Sequence, residues 1–224
     1  MPTPCDIPCP DSLLTSSLHL PILPPVPPGG IEGGFRHTQR TTSRAPTRTR
    51  LSMIFGITGL PGSGKTTLLR LLHSRATALG IDCGGFLQLR VEDRPAHAVA
   101  YQIKRLRTGR ELTIAQRRQS ECFEFFEDAF IASRQWVLEE QDSCELMILD
   151  ELGKLEANGD GHAESVEALR SVSPTRVIVV SLRKDALDVL CKRFHIPPQH
   201  VLDLDQQAEG AEPFLTRILD HHGP

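Results

Sequence analysis

The stretch GLPGSGKTT, residues 59–67, constrains the fold of this chain more than any other segment. It fills the pattern G-x-x-x-x-G-K-[ST] without a gap, and it lies between a strand pattern at residues 53–59 and a helical pattern at residues 65–80. A strand that enters a helix through a glycine-rich turn presents consecutive backbone N–H groups at the helix N-terminus, where an anion is stabilised. The stretch therefore predicts a phosphate-binding loop.

The residue types in this loop fit a nucleoside triphosphate as the ligand. Glycines let the backbone wrap around phosphate oxygens, the Lys65 ammonium is placed to reach the β- and γ-phosphates, and the Thr66 hydroxyl is a ligand for Mg²⁺. We therefore predict Lys65 as a catalytic residue, Thr66 as a metal ligand and Mg²⁺ as the cofactor. The predicted nucleotide-binding residues are Gly59, Leu60, Pro61, Gly62, Ser63, Gly64, Lys65, Thr66 and Thr67.

The remainder of the chain alternates between strand and helix patterns. Further strands are predicted at residues 83–91, 145–150, 175–182 and 200–205, and further helices at residues 123–141 and 184–194 and at the C-terminus. Residues 97–116 have the pattern of a β-hairpin that turns at Thr108-Gly109. Unbroken apolar strands that alternate with helices are typical of parallel sheets. The sequence thus predicts an α/β P-loop NTPase fold, with a doubly wound, mainly parallel sheet, helices on both faces and an inserted β-hairpin.

Two adjacent acids, Asp150 and Glu151, end the apolar run at residues 146–149. Like charges this close raise each other's pKa, so a cation must compensate them or the two must perform different tasks. We expect this strand to lie beside the strand at residues 53–59 and to deliver Asp150 to the Mg²⁺ shell. Glu151 is then predicted as the general base for the water in line with the γ-phosphate. The alternative interpretation of Glu151 is a solvated surface acid.

Together with the phosphate-binding loop, the segment DELGKLE at residues 150–156 resembles the signature of a family of small P-loop nucleoside-triphosphatases. Members of that family typically carry Asp-Glu-Ile-Gly-Lys-Met-Glu-Leu at this place. The resemblance runs from residue 53 to about residue 194. It implies Mg²⁺-dependent hydrolysis of ATP, GTP and other nucleoside triphosphates to the diphosphate and phosphate, with little base preference. The chain departs from the family pattern at Ala157 and between residues 90 and 101.

Five other polar residues are weaker candidates for the site. Lys154 is a candidate for contacting a phosphate or for pairing with Glu156, which is also the next candidate for positioning the water. Ser181 and Arg183 follow a strand where a residue that senses the γ-phosphate would lie, and Arg90 ends the second predicted strand near the expected phosphates. Exposed residues at helix starts and strand ends are the alternative for each.

Three other functions stay compatible with the sequence. Residues 150–153 satisfy the D-x-x-G pattern of a GTP-binding accessory or regulatory protein, such as those that handle molybdenum cofactor. The guanine-reading N-K-x-D is absent, however, because residues 182–185 read LRKD. A nucleoside or nucleotide kinase would carry an arginine-rich lid, whereas residues 152–175 contain only Lys154 and Arg170 as lysine or arginine. A non-enzymatic nucleotide switch is the third. The sequence identifies neither the preferred base nor the oligomeric state.

Residues 1–52 have a different composition from the rest of the chain. They hold ten of the 17 prolines, and residues 35–50 contain five arginines and no acid. Such a segment cannot bury enough apolar area to offset the entropy of ordering it. We predict a disordered N-terminal extension at residues 1–52 and a P-loop NTPase domain at residues 53–224. The extension is interpreted as a docking arm for a protein partner or as upstream sequence before a start at Met53, in preference to an organelle transit peptide.

Charge and hydropathy argue against nucleic acid as the main ligand and against a membrane-spanning segment. A net charge of −3 and a pI of about 6.3 give no reason to expect nucleic acid as the main ligand. No run of about 18 apolar residues occurs, so no membrane span is predicted. The six cysteines form no C-x-x-C pair, which is consistent with reduced thiols in the cytoplasm.

Overall fold

The computed structural model of the chain describes residues 53–93, 98–117, 123–172 and 176–222, and the predicted extension lies outside the described residues. The strands are β1 Met53–Gly59, β2 Cys83–Asp93, β3 Ala98–Arg105, β4 Glu111–Arg117, β5 Glu124–Phe125, β6 Leu146–Leu152, β7 Val177–Arg183 and β8 Val201–Asp203. The helices are α1 Lys65–Ala78, α2 Glu127–Glu140, α3 Lys154–Asn158, α4 Ala163–Val172, α5 Leu187–Phe194 and α6 Ala211–Leu219. No helix among these residues is both long and apolar enough to cross a membrane.

The strands form one sheet in the order β5-β4-β3-β2-β6-β7-β1-β8. The five strands from β2 to β8 in this order are parallel, and the pairs β2–β3, β3–β4 and β4–β5 are antiparallel. The predicted fold class is therefore confirmed, including the inserted hairpin formed by β3 and β4. The hairpin turns through Gly109, which has a φ of 70°.

The prediction that β6 lies directly beside β1 is wrong. β7 lies between them and pairs in parallel with both strands. After β1, the chain crosses over through α1 to β2, which is separated from β1 by two strand positions in the sheet. β6 and β7 later occupy these two positions. The alternation of strands and helices along the sequence is the same for either strand order, which is why it could not reveal this arrangement.

The sheet separates two hydrophobic cores because side chains alternate between its faces along each strand. In β6, Met147 and Leu149 pack in the core formed with α2, α4 and α5, whereas Leu146 and Ile148 pack in the core formed with α1 and α6. All four side chains are fully buried. A strand that is covered on both faces needs an unbroken apolar sequence, and that is the sequence pattern of β6.

Glycine allows β2 to lie close to β6. Gly85 has a φ of 97°, and a Cβ at this position would lie 2.0 Å from the carbonyl oxygen of Ile148. Beyond Phe86, the strand leaves β6 and pairs with β3 up to Asp93. β2 therefore joins the parallel region of the sheet to the antiparallel hairpin.

Two local predictions differ from the structure. The second predicted helix begins at Glu127 instead of residue 123, because Phe126 N–H donates to the carbonyl of Ile114 and residues 124–125 pair with β4. The helices α3 and α4 between β6 and β7 were not predicted. The segment NGDGH at residues 158–162, which joins them, resembles a loop and concealed the helical pattern on both sides.

Candidate active site

The phosphate-binding loop joins β1 to α1, as the sequence predicts. Gly64 precedes the first helical residue with a φ of 98°, in the left-handed region that favours glycine. Lys65 is only 7% exposed, and its Nζ donates to the carbonyl oxygens of Gly59 at 2.9 Å and of Leu60 at 3.1 Å. The ammonium group is therefore held over the loop, in the place where phosphate oxygens would meet it.

Asp205 fixes the first part of this loop, and the sequence did not reveal it. The Leu60 N–H donates to Oδ2 of Asp205 at 3.0 Å, and Lys184 Nζ donates to the same oxygen at 2.6 Å. These two donors hold the pKa of Asp205 below its ordinary value, the Lys184 hydrogen bond having the larger effect. The available sequence signal was an acid at the end of the last predicted strand, residues 200–205, whose residues 201–203 pair with β1 as β8.

Asp150 lies at the end of β6 with 1% of its surface exposed. Ser181 Oγ donates to its Oδ1 at 2.5 Å, Gln88 N–H donates to its Oδ2 at 3.1 Å, and the Thr66 side chain also hydrogen-bonds to it. Burial raises the pKa of Asp150 above its ordinary value, and these hydrogen bonds together with the Lys65 charge oppose the rise. A buried carboxylate in this state gains from a cation.

The position of β7 explains why Ser181 contacts Asp150. Ser181 lies opposite Ile57 in the β1–β7 register, on the strand between the phosphate-binding loop and the acids. It is fully buried, and its Oγ also accepts a hydrogen bond from the Glu151 N–H at 2.7 Å. The structure thus places Ser181 as a bridge within the acidic pair.

Glu151 adopts a strained backbone conformation. Its φ is 66°, in the left-handed region, and the pairing of β6 with β7 shifts register between Leu149 and Leu152. Bulges of this kind redirect a side chain, and a non-glycine residue at such a φ costs of the order of 1 kcal/mol. Burial raises the pKa of Glu151 above its ordinary value, while the Lys65 charge lowers it. Glu151 lines a cavity beside the strand.

Glu156 has a structural role that limits its chemistry. Its Oε2 accepts the N–H of Gly153 at 2.7 Å, and its Oε1 accepts the N–H of His162 at 3.0 Å. Both oxygens are therefore occupied by backbone donors at the start of α3 and before α4. Lys154 does not pair with it. Instead the Lys154 Nζ lies 3.7 Å from Oδ2 of Asp185, and the side chain is 75% exposed.

The two arginine candidates differ in position. Arg183 lies at the end of β7, donates to both carboxylate oxygens of Asp185 at 3.0 and 2.9 Å, and lines the same cavity as Glu151. Arg90 does not end β2, which continues to Asp93, and it forms a 2.7 Å ion pair with Glu92 on the exposed part of the strand. Of the sequence candidates, the structure gathers Lys65, Thr66, Asp150, Glu151 and Ser181 at one end of the parallel strands.

The oxygen donors at this end of the sheet fit Mg²⁺. Thr66 supplies a hydroxyl and Asp150 a carboxylate, and hard oxygen ligands of this kind suit the ion. No group of three or more His, Cys, Asp or Glu side chains that could hold a metal occurs within residues 53–93, 98–117, 123–172 and 176–222. Mg²⁺ at nucleotide sites is usually held by one or two protein ligands together with phosphate oxygens and water.

A glycine-rich loop at a helix N-terminus, a buried lysine over the loop and an acidic pair at the end of a nearby parallel strand define a P-loop nucleotide-binding protein. A sequence model of the family described as NTPase matches residues 54–207. This match spans most of the chain, and the chain belongs to this NTPase family.

Individual relatives agree with this assignment. The chain is 28% identical over 169 residues to the nucleoside-triphosphatase THEP1 of Methanocaldococcus jannaschii. The aligned region covers 73% of this chain and 95% of the relative. The crystal structure of THEP1 from Aquifex aeolicus matches with a TM-score of 0.51 at 19% identity, over 74% of this chain and 99% of that chain. The solution structure of a human cancer-related nucleoside triphosphatase matches with a TM-score of 0.57 at 16% identity, over 77% and 98%. The two structures support the fold.

Proposed function

We propose that the chain hydrolyses nucleoside triphosphates in a Mg²⁺-dependent reaction. In it, Lys65 and the phosphate-binding loop hold the phosphates, Thr66 and Asp150 hold the metal, and Glu151 activates the attacking water. The observation that carries the proposal is the position of Glu151, which directly follows the buried Asp150, has a left-handed backbone and lines the adjacent cavity. Membership of the NTPase family supports the same reaction.

Binding depends first on the loop and Lys65. The loop presents its N–H groups at the start of α1, where the helix dipole favours an anion. Lys65 already donates to two loop carbonyls, so its ammonium group is oriented before a nucleotide arrives. The ammonium group would be attracted more strongly to anionic phosphate oxygens than to these neutral carbonyl oxygens, because opposite charges then meet.

Thr66 and Asp150 are the proposed metal ligands. Mg²⁺ held there with the nucleotide would supply positive charge that stabilises the phosphates during the reaction. Ser181 and the Gln88 N–H fix the orientation of the Asp150 carboxylate, and such supporting contacts decide how well a ligand is placed. The raised pKa of Asp150 supports a cationic partner, because burial alone disfavours the carboxylate.

Glu151 is the proposed general base. Its raised pKa brings it closer to the physiological range, which increases its proton affinity in the transition state. The Ser181 hydroxyl accepts the Glu151 N–H and donates to Asp150, so the two acids hold fixed relative positions. Asp150 would therefore hold the metal and Glu151 would activate the water, although the two acids are adjacent in β6.

Asp150→Asn should weaken the use of Mg²⁺ without destabilising the fold. The substitution removes a ligand charge, so we expect the Mg²⁺ concentration for half-maximal hydrolysis to rise by roughly 10–100-fold. The melting temperature should stay the same or rise, because the apo protein no longer buries a carboxylate whose charged form is disfavoured. Mg²⁺ titrations of the rate and thermal melts measure the two effects. Asp128→Asn, at an exposed acid of α2, is the control, and an unchanged Mg²⁺ titration in Asp150→Asn would refute the assignment.

We propose residues 53–224 as the catalytic P-loop NTPase domain. Deletion of residues 1–52 should change the free energy of unfolding by no more than the roughly 0.5 kcal/mol typical of surface changes. The reason is that the composition of this segment offers few apolar side chains for the core. Chemical denaturation measures the free energy of unfolding of the full chain and the truncated chain, and phosphate release measures their rates of hydrolysis. A large loss of stability on truncation would contradict the domain boundary.

A further inference from the structure

A cavity of about 420 Å³ lies next to Glu151, on the side of the sheet that carries α2, α4 and α5. Its wall is largely aromatic and apolar, and includes Tyr101, Ile114, Phe123 and Phe130. Five further polar or charged residues line it: Gln88, Glu151, Lys154, Glu156 and Arg183. Cavities with an apolar wall and a few convergent polar groups are typical sites for small molecules.

His162 gives this cavity an unsatisfied hydrogen-bonding group. The side chain is 3% exposed, lines the cavity and packs against the rings of Phe86 and Phe130, with centroids 4.5 and 5.3 Å away. Among the described residues, neither Nδ1 nor Nε2 has a hydrogen-bond partner. Burial lowers the pKa of His162 to about 3, so the ring is neutral and offers one donor and one acceptor. An unpaired buried polar group costs about 1–3 kcal/mol, which a ligand in the cavity would recover.

The base of the bound nucleotide is not a suitable occupant. No residue of the loop at 59–67 is among those that line the cavity, whereas Glu151 is. In phosphoryl transfer the attacking and leaving oxygens lie in line on opposite sides of the γ-phosphate. Since Glu151 acts on the attacking oxygen, its cavity lies on the attacking side, and the diphosphate with its nucleoside leaves on the other side.

We propose that this cavity binds a second substrate, an uncharged planar aromatic alcohol, whose hydroxymethyl group lies at Glu151 and replaces water as the phosphoryl acceptor. This proposal rests on the proposed role of Glu151 in hydrolysis. The aromatic ring stacks in the apolar wall, and a hydrogen-bonding substituent on the ring reaches the nitrogens of His162. An uncharged molecule fits because the charged side chains that line the cavity balance one another, Glu151 and Glu156 against Lys154 and Arg183.

The chemical step is the same displacement with a different nucleophile. The alcohol oxygen forms a bond to the γ-phosphorus, and its proton moves to the Glu151 carboxylate. The bond between the γ-phosphorus and the bridging oxygen breaks, and its electron pair stays on the nucleoside diphosphate. The products are an alkyl phosphate and a nucleoside diphosphate. Water reacts in the same position when the cavity holds no alcohol.

A pair of matched probes tests binding at His162. 4-Hydroxybenzyl alcohol carries a phenol that can satisfy the imidazole, and 4-methylbenzyl alcohol has a similar shape without that group. In the full-length protein, ¹⁵N-edited NMR should show the His162 ring resonances shift with the phenol, which should bind about tenfold more tightly than the methyl analogue. His162→Phe keeps an aromatic ring for packing and should remove this preference. Equal affinities in the wild-type protein would overturn the role of His162.

Radiolabelled ATP tests the transfer. With the γ-phosphate labelled and 4-hydroxybenzyl alcohol present, we expect part of the label in a benzyl phosphate ester and the rest in inorganic phosphate. Ala115→Leu, which fills the cavity wall, should lower the ratio of ester to phosphate. Normal phosphate release with no ester would overturn the acceptor site and leave hydrolysis intact. Absence of phosphate release without any alcohol would instead refute the proposed hydrolysis.

Discussion

Glu151→Gln is expected to reduce hydrolysis of nucleoside triphosphates by the roughly 10²–10⁴-fold that the loss of a general base causes. Glutamine keeps the size and hydrogen-bonding capacity of the side chain but cannot accept the proton. The Glu151 N–H bond to Ser181 is a backbone contact, so the bulge at the end of β6 should remain. The Mg²⁺–nucleotide complex should therefore bind with nearly unchanged affinity while turnover falls.

Single-turnover phosphate release and calorimetric binding separate these two quantities. The wild-type rate should also fall at low pH through a pKa above the ordinary glutamate value of about 4.3, because burial raises the pKa of Glu151. Glu92→Gln, at an exposed acid on β2, is the matched control. Near-normal turnover in Glu151→Gln would refute the general base. Glu156 would be a poor replacement, since both of its oxygens accept backbone N–H groups.

Lys65→Ala should abolish measurable hydrolysis and weaken triphosphate binding by roughly a hundredfold, or about 3 kcal/mol, the scale of losing hydrogen bonds from a charged donor. The sequence predicted that this side chain reaches the β- and γ-phosphates. The structure adds that it is buried and donates to the carbonyls of Gly59 and Leu60. The loop should therefore lose order locally, while the two cores of the sheet do not involve Lys65.

Three measurements distinguish these effects. Fluorescent-nucleotide titration gives the affinity, phosphate release gives the rate, and circular dichroism on heating gives the stability of the fold. Lys192→Ala, at an exposed lysine of α5, should behave as the wild type in all three. Unchanged turnover in Lys65→Ala would contradict the assignment of the phosphate-binding loop.

Local sequence patterns predicted most of the elements and most of the candidate site, although α3 and α4 were missed. The strand at residues 53–59 was predicted with its bounds, and the phosphate-binding loop lies where the motif places it. Asp150 and Glu151 occur at the end of an apolar strand, as expected. These features depend on residues close together in the chain, because periodicity, glycine placement and motif spacing are properties of short segments.

Tertiary structure decided how these segments meet. It placed β7 between β1 and β6, so that Ser181 bonds to Asp150 from 31 residues away. It brought Asp205 to the Leu60 N–H across 145 residues. It also gave Glu151 its left-handed backbone and buried His162 without a hydrogen-bond partner among the described residues. None of this is encoded in a short segment, because strand order and long-range contacts follow from packing the whole sheet.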